Sequence, residues 1–130
     1  MKKAIYVIMI LGVLSSCISQ RSENVKVISA EEMQSLLELD DVQLVDVRTT
    51  EEFEKGYIPN AQNIDYFSPT FDEDLKNLDK TKPVVLYCKS GGRSAKCAEK
   101  MAGAGFVKIY DLEGGISEWR HKGFEIKTKS

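Results

Sequence analysis

Residues 84–94, with the sequence VVLYCKSGGRS, decide the fold of this chain. The β-branched and aromatic run Val84–Tyr87 follows a turn that contains a proline, and it predicts a buried strand. Cys88 ends this strand, and the pair Gly91-Gly92 predicts a tight loop whose backbone N–H groups can turn inward. Apolar residues at helical spacing from Arg93 onward predict a helix directly behind the loop. A strand, a loop and a helix N-terminus are therefore expected to converge on one sulfur atom.

This arrangement is expected to make Cys88 reactive. A free cysteine has a pKa of about 8.5, and helix N-termini or neighbouring cations lower it to roughly 3.5 to 7.5. Lys89 and Arg93 are the cations expected to act on this thiol, which should be largely ionised at neutral pH. The alternative is a small buried core cysteine, but the charged and glycine-rich residues that follow Cys88 favour a surface loop.

The remainder of the chain predicts an α/β fold. Capping boxes at residues 29–32 and 49–52 predict two helix N-termini, and a third short helix is expected over residues 70–78. Residues 42–47 and 106–110 are predicted strands. Strands that alternate with short helices predict a parallel β-sheet with helices on both faces. In such sheets the functional site lies at the carboxyl ends of the strands, where Cys88 is expected.

Three separated segments then support a family resemblance. VDVRTTEEFEKGYIPNAQNID (residues 45–65), CKSGGRSA (88–95) and YDLEGGISEWRHKGF (110–124) resemble, in this order, the rhodaneses, a family of sulfurtransferase domains. The resemblance covers roughly Val27 to Gly123. It implies that Cys88 is the catalytic nucleophile, which accepts a sulfane sulfur as a persulfide. It also implies a substrate-binding loop of Lys89, Ser90, Gly91, Gly92 and Arg93.

The length of this loop separates sulfur transfer from a related chemistry. The active-site loop of tyrosine phosphatases and their relatives has the pattern C-x-x-x-x-x-R, with five residues between cysteine and arginine. Only four residues separate Cys88 from Arg93 in this chain. The shorter ring forms a smaller anion cradle, which suits a transferred sulfur atom better than phosphate or arsenate. A phosphatase or arsenate reductase is therefore the weaker alternative, and a non-catalytic or partner-specific rhodanese module stays open.

The resemblance implies two half-reactions. Cys88 takes sulfur from a small anionic sulfur donor such as thiosulfate, and a thiol or cyanide acceptor then removes it. This mechanism needs no cofactor. No metal site is expected either, because His121 is the only histidine and is predicted to lie at the surface. The net charge of −2 provides no basic surface field for nucleic acid, so no nucleic-acid partner is expected. The protein is expected to be a monomer.

Other conspicuous residues are interpreted structurally. Asp46 and Arg48 are expected to form an ion pair or hydrogen bonds near the base of the loop, although Arg48 could also reach an anionic substrate. Trp119 is expected in the core. Tyr57 stands where the family commonly has a histidine. Cys97 is interpreted as a small buried residue, with a resolving thiol as the alternative.

The N-terminus predicts export from the cytoplasm. Two lysines precede the apolar run Ala4–Leu14, which is too short to span a bilayer and fits a signal peptide over residues 1–16. The sequence LSSC that ends at Cys17 resembles a bacterial lipobox, so Cys17 is the expected lipidation site. An ordinary secretory signal is the alternative. A lipidated tether at residues 17–26 and a rhodanese-like domain at 27–130 would follow.

These features predict a lipid-anchored, extracytoplasmic protein of the bacterial cell envelope. In a Gram-negative cell it would be attached to the outer membrane and face the periplasm, because Ile18 is not the aspartate that retains lipoproteins in the inner membrane. The membrane would then be a partner through the lipid anchor. Loss of the two lysines with the signal peptide would make the net charge more negative by two.

Overall fold

One five-stranded parallel β-sheet organises the computed structural model, which describes residues 23–39 and 41–129. The strands are β1 (Val25–Ile28), β2 (Gln43–Asp46), β3 (Gln62–Asn63), β4 (Val84–Tyr87) and β5 (Ile109–Leu112). The helices are α1 (Ala30–Leu39), α2 (Thr50–Glu54), α3 (Phe71–Leu75), α4 (Gly92–Gly103) and α5 (Gly115–His121). The strand order in the sheet is β1-β5-β4-β2-β3, which places β4 at the centre.

The two faces of the sheet build two apolar clusters. Val84 and Leu86 of β4 lie in one cluster with residues of α3 and α4. Val85 and Tyr87 lie in the other with residues of α1 and α5. All four residues of β4 are buried, as expected for a strand covered on both sides. The predicted parallel sheet with helices on both faces is confirmed.

Both predicted capping boxes are present. Glu32 N donates to Ser29 Oγ at 3.1 Å, and Ser29 N donates to Glu32 Oε1 at 3.3 Å, so the entry to α1 has reciprocal bonds. At α2, Glu52 N donates to Thr49 Oγ1 at 3.2 Å and Thr49 N donates to Glu52 Oε1 at 3.4 Å. Each box satisfies backbone donors that a helix N-terminus leaves without partners.

The predicted strand at residues 106–110 was wrong in position, since β5 begins at Ile109. Phe106 is buried in the turn before it, and Phe106 N donates to Met101 O at 3.4 Å, which closes the end of α4. Val107 N donates to Lys80 O at 3.0 Å. The apolar residues at 106 and 107 therefore belong to a connection rather than to the sheet. Helix α3 also ends at Leu75, before the predicted limit of residue 78.

Strand β1 was not among the strands predicted from the sequence. Val25 pairs with Ile109, so β1 includes two residues that the predicted tether contained. The predicted signal peptide and Cys17, the predicted lipidation site, lie outside the described residues. Among residues 23–39 and 41–129, no helix has the length and apolar character needed to cross a membrane.

Candidate active site

Cys88 directly follows β4 at the carboxyl end of the central strand, as predicted. The residue is 1% exposed, and helix α4 begins at Gly92 after a short loop. The backbone of this loop is bound from the other side by α5. Ile116 N donates to Cys88 O at 2.9 Å, and Ser117 N donates to Lys89 O at 3.1 Å. Cys88, the predicted nucleophile, therefore lies between the N-terminal turns of two helices.

Hydrogen-bond donors surround the sulfur atom. Gly91 N donates to Cys88 Sγ at 3.1 Å, and Gly91 has a φ of 115°, in a region that favours glycine. Ser94 Oγ lies 3.4 Å from Cys88 Sγ and 3.2 Å from Gly91 O. Ser94 is fully buried in the first turn of α4. Sequence reasoning missed this residue, although its place one position after Arg93 was the available signal.

The pKa of the Cys88 thiol is lowered below its ordinary value. Burial alone would raise this pKa, because it disfavours the charged form. Hydrogen bonds from the Ser94 hydroxyl and from the backbone N–H groups of Ser94, Gly91 and Ser90 outweigh the burial. The lowered pKa agrees with the sequence prediction, and the loop N–H groups that the sequence placed around the sulfur are among its causes.

Arg93 binds the carboxylate of Glu52. Nη1 of Arg93 lies 2.6 Å from Oε1 of Glu52, and Nη2 lies 2.9 Å from Oε2. Hydrogen bonds from Arg93 lower the pKa of Glu52 to about 2. The guanidinium also lies 5.9 Å from the ring centroid of Phe67, an exposed aromatic residue. The charge stabilisation at sulfur that the sequence assigned to Arg93 stays a prediction. The observed hydrogen bonds connect this end of the loop to the capping box of α2.

The other predicted loop residues are more accessible. Lys89 and Ser90 are exposed, and Gly92 is the first residue of α4. Lys89 lines a groove of about 330 Å³ beside the loop, together with Lys55 and Arg120. The five predicted loop residues follow Cys88 directly in the chain, but they lie in different environments.

A buried ion pair supports the base of the site, as predicted. Arg48 Nη2 lies 2.6 Å from Asp46 Oδ2 and also donates to Gly56 O at 2.6 Å. Arg48 is only 4% exposed, and its guanidinium is occupied by hydrogen bonds to Asp46 and Gly56. The hydroxyl of Tyr87 accepts a hydrogen bond from Ile58 N at 3.1 Å. These bonds fix the turn at residues 56–58 against the end of β4.

Gly115 allows α5 to approach the loop. Its φ is 58°, and a side chain there would overlap the carbonyl groups of Cys88 and Lys89. Only glycine fits this combination of a left-handed backbone and close approach without a shift of the neighbouring backbone. Gly115 therefore allows the start of α5 to pack directly against the backbone of Cys88 and Lys89.

Three residues outside the loop have the predicted structural character. Cys97 is completely buried, its Sγ lies 3.7 Å from Met101 Sδ, and burial raises its pKa to about 12. Such a thiol is poorly suited to a resolving role, because the thiolate is the reactive form. Trp119 is 4% exposed and donates from Nε1 to Glu125 O at 2.9 Å. His121 is exposed at the end of α5.

The described residues contain no group of three or more histidine, cysteine or acidic side chains that could hold a metal ion.

Tyr57, at the position where a histidine is common, stacks on Phe53 with ring centroids 4.4 Å apart. Its backbone forms a bridge with Lys127, with N to O distances of 2.8 and 2.9 Å. Tyr57 therefore contributes to packing at this turn.

Comparisons with known proteins agree with this geometry. Residues 29–122 match the family model described as "Rhodanese-like domain". The chain is 41% identical over 88 residues to "Uncharacterized protein YqhL" of Bacillus subtilis, covering 67% of this chain and 65% of that relative. It is 34% identical over 94 residues to "Sulfurtransferase" of Allochromatium vinosum, covering 72% of this chain and 85% of that protein.

A solved structure supports the same relationship. The crystal structure of a rhodanese-like domain protein from Staphylococcus aureus superposes with a TM-score of 0.69 at 38% identity. The alignment covers 81% of this chain and 99% of the Staphylococcus chain. The parallel sheet and the arrangement of its helices are thus shared with a protein of clearly similar sequence.

Proposed function

Because this chain belongs to the rhodanese-like domain family, whose model matches residues 29–122, we propose that it is a sulfurtransferase. In this proposal a sulfane sulfur passes from a donor such as thiosulfate to a thiophilic acceptor through a persulfide on Cys88. The observation that carries the proposal is the Cys88 sulfur, held within hydrogen-bond distance of Gly91 N and Ser94 Oγ, with its pKa lowered.

The first half-reaction begins with the Cys88 thiolate. Its sulfur attacks the outer sulfur of thiosulfate, a new S–S bond forms, and the S–S bond of thiosulfate breaks. The electron pair of the broken bond leaves on sulfite. The donors around the loop stabilise negative charge on the sulfur, as preorganised N–H groups do at other covalent catalytic sites.

The second half-reaction restores the enzyme. A thiolate or cyanide attacks the outer sulfur of the persulfide, and the electron pair of the bond to Cys88 returns to the cysteine as a thiolate. Neither half-reaction needs an external oxidant, a reductant or a cofactor. Lys89 is assigned to the recruitment of anionic donors, because it is exposed next to the nucleophile. Arg93 acts as a positioning residue through Glu52.

A partner-specific persulfide module is the second candidate. One observation favours it: Cys88 is only 1% exposed, so a donor must reach its sulfur through the loop. A protein partner that contacts the loop could supply or receive sulfur where free thiosulfate cannot. The two candidates differ in whether small sulfane donors alone add sulfur to Cys88.

Mass spectrometry of the purified protein tests the proposal directly. After incubation with thiosulfate or polysulfide, we expect the mass of one added sulfur on the peptide that contains Cys88. Cys88→Ser should abolish this addition, while the matched variant Cys97→Ser should retain it. Absence of added sulfur with several small donors would overturn the general sulfurtransferase and favour the partner-specific module.

We also propose that the protein works outside the cytoplasm on a lipid anchor at Cys17. The support is the sequence alone: a positive N-terminus, the short apolar run Ala4–Leu14 and a cysteine at lipobox spacing. A single acyl chain binds membranes only weakly, and stable attachment needs a second chain or another signal. The modification expected at Cys17 would therefore have to carry more than one chain.

A further inference from the structure

The chain enters the domain at the edge of the sheet opposite to Cys88. All five strands are parallel, so their amino ends share one edge of the sheet and their carboxyl ends share the other. Strand β1 begins at Val25, which pairs with Ile109, the first residue of β5. Cys88 follows the last residue of β4 and lies at the carboxyl edge. The entry of the chain and Cys88 are therefore separated by the length of the strands.

A groove of about 380 Å³ lies beside this entry. Lys80 and Phe106, which line it, precede β4 and β5, so the groove is at the amino edge of the sheet. Asn24 Nδ2 donates to Phe106 O at 3.4 Å, and Asn24 O accepts from Ile109 N at 2.8 Å. The N-terminal segment therefore joins the domain next to the groove. The volume lies within the roughly 300–1,000 Å³ typical of ligand sites.

The groove has a cationic rim. Lys76, Lys80 and Lys100 line it, and Asp72 is its only acidic lining residue. Lys76 and Lys100 are paired with acidic residues of α3, but these side chains are largely exposed and such pairs are weak. Lys80 Nζ donates to Ala104 O at 2.7 Å, and within the described part of the chain it forms no ion pair. The rim can therefore attract an anionic surface.

An exposed apolar side chain lies next to the rim. Leu39, Phe67 and Val107 are the large apolar residues that are exposed within the described ranges. Val107 follows Phe106, and its N donates to Lys80 O at 3.0 Å. Leu39 ends α1 shortly before β2, so it also lies towards the amino edge, whereas Phe67 follows the carboxyl end of β3. Apolar side chains among lysines are typical of surfaces that bind the membrane interface.

We propose that the amino-edge surface, formed by Val107 and the groove lined by Lys76, Lys80 and Lys100, docks against an anionic membrane. This proposal rests on the lipid anchor at Cys17 proposed above. Seven residue steps separate Cys17 from Asn24, and each spans at most about 3.6 Å, so the lipid would hold this surface within about 25 Å of the bilayer. The lysines complement anionic headgroups, and Val107 enters the interface.

The N-terminal segment itself is a poorer occupant of the groove. Residues 18–22, with the sequence ISQRS, include Arg21 and no acidic residue. A cation would be repelled by the three lysines of the rim, whereas a phospholipid headgroup would be attracted. Charge complementarity therefore favours the membrane over the chain's own residues.

Docking of this surface orients the active site. Because Cys88 lies at the opposite edge of the sheet, its loop would face away from the bilayer and into the aqueous phase. The donor and the acceptor of the proposed sulfur transfer would then reach Cys88 from water rather than from the membrane. The docked surface adds a feature that the anchor alone does not provide, since a lipid on a tether fixes distance but not orientation.

Fluorescence quenching of the full lipidated protein tests this assignment. The protein is purified from bacterial membranes, the lipid on Cys17 is verified by mass spectrometry, and the protein is placed in vesicles of equal parts phosphatidylethanolamine and phosphatidylglycerol. Val107→Trp introduces a reporter at the amino-edge surface, and Phe67→Trp introduces the matched reporter at the opposite edge. Trp119 is the only native tryptophan and is buried, so its background is the same in each protein.

Brominated phospholipids should quench the new indole of Val107→Trp and leave that of Phe67→Trp unquenched. Adding Lys80→Gln to the Val107→Trp protein should shift the equilibrium about fivefold from the docked to the undocked domain, the effect of one lysine near anionic lipid. Lys55→Gln, which removes an exposed lysine beside the active-site loop, is the control and should change nothing. Phosphatidylcholine in place of phosphatidylglycerol should also weaken the quenching, without any change in the lysines.

Three results would overturn the docking proposal. Equal quenching of the two reporters would show that the domain has no fixed orientation. Protection of the Val107→Trp indole from aqueous iodide without quenching by the lipid would indicate that residues 18–22 cover the groove. Absence of a lipid on Cys17 would overturn the docking together with the anchor. Sulfur added to Cys88 by thiosulfate, measured on the same samples, would leave the proposed sulfur transfer standing in each case.

Discussion

Arg93 and Glu52 are joined by two parallel hydrogen bonds, with distances of 2.6 and 2.9 Å. The same carboxylate accepts a hydrogen bond from Thr49 Oγ1 at 3.1 Å in the capping box of α2. One acidic side chain therefore connects the end of the active-site loop to the start of a helix that follows a different strand. This arrangement favours a positioning role for Arg93.

Replacement of Glu52 by glutamine should weaken the pair with Arg93 and leave the capping box intact, because a capping box accepts either glutamate or glutamine at this position. We expect the free energy of unfolding at neutral pH to fall by about 1 kcal/mol, because the pair is partly exposed. The pKa of Glu52 is about 2 in the folded protein and 4.5 ordinarily. Since the folded-state pKa is lowered, the stabilisation is complete above the ordinary value and is lost as the pH falls towards 2.

Urea unfolding across this pH range would measure the difference between wild type and Glu52→Gln. Glu51→Gln is the matched control, because Glu51 is on the same helix and its pair with Lys55 is exposed. Equal destabilisation by the two variants, or a difference that persists at pH 2, would contradict the role given to the Arg93 pair.

Ser94→Ala should raise the pKa of Cys88. The substitution removes the hydroxyl 3.4 Å from the sulfur and keeps the backbone donors. A hydrogen bond to a charged group contributes about 1.5–3 kcal/mol, so a rise of about one pH unit or more is expected. The pH dependence of alkylation by iodoacetamide would measure it. Ser90→Ala removes only an exposed hydroxyl from the same loop and should leave the midpoint of the alkylation profile unchanged. Equal midpoints in the wild type, Ser94→Ala and Ser90→Ala would refute this explanation.

Gly115→Ala should destabilise the protein and disturb the loop. The new Cβ would overlap the backbone after Cys88 and would require a left-handed conformation of a non-glycine residue. We expect a loss of roughly 2–4 kcal/mol from strain and overlap together. Thermal unfolding would measure it against Gly103→Ala, where open space and a helical backbone predict little change or a small gain. A wild-type melting temperature for Gly115→Ala would show that α5 does not depend on this approach.

Cys17→Ala should release the protein from membranes. The substitution removes the acceptor of the proposed lipid and should also prevent processing of the precursor at the lipobox. Fractionation of cells and the size of the protein on gels would report both effects, with Cys97→Ala as the control. A variant that stays in the membrane fraction with normal processing would exclude lipidation at Cys17.

Local signals in the sequence explain which elements could be predicted. Strand β4 was placed correctly because Val84–Tyr87 is β-branched, apolar and buried on both faces. The capping boxes are defined by residues three positions apart, so their detection needs no tertiary information. Strand β3 has two residues and is too short to carry a periodic pattern. Helix α5 begins at Gly115, and glycine at that position signals a break rather than a helix.

The missed parts of the site depend on contacts between distant residues. Cys88 and its loop were identified from one continuous segment and a family resemblance. The second role of Glu52 was hidden because it is paired with a residue 41 positions away. The error at Phe106 has a similar cause, since an apolar residue in a turn gives the same local pattern as one in a strand.

Ser94 stands between two acceptors, Gly91 O at 3.2 Å and Cys88 Sγ at 3.4 Å. A hydroxyl has one proton to donate, so Ser94 can serve only one of them at a time. When Cys88 is a neutral thiol, its own S–H can donate to Ser94 while Ser94 donates to the carbonyl. When Cys88 is ionised, the proton of Ser94 is required by the sulfur, and the carbonyl of Gly91 keeps only the hydrogen bond that it accepts from Ala95 N at 3.1 Å. Each catalytic cycle would thus exchange one hydrogen bond inside the loop, which makes its backbone sensitive to the charge of the sulfur it encloses.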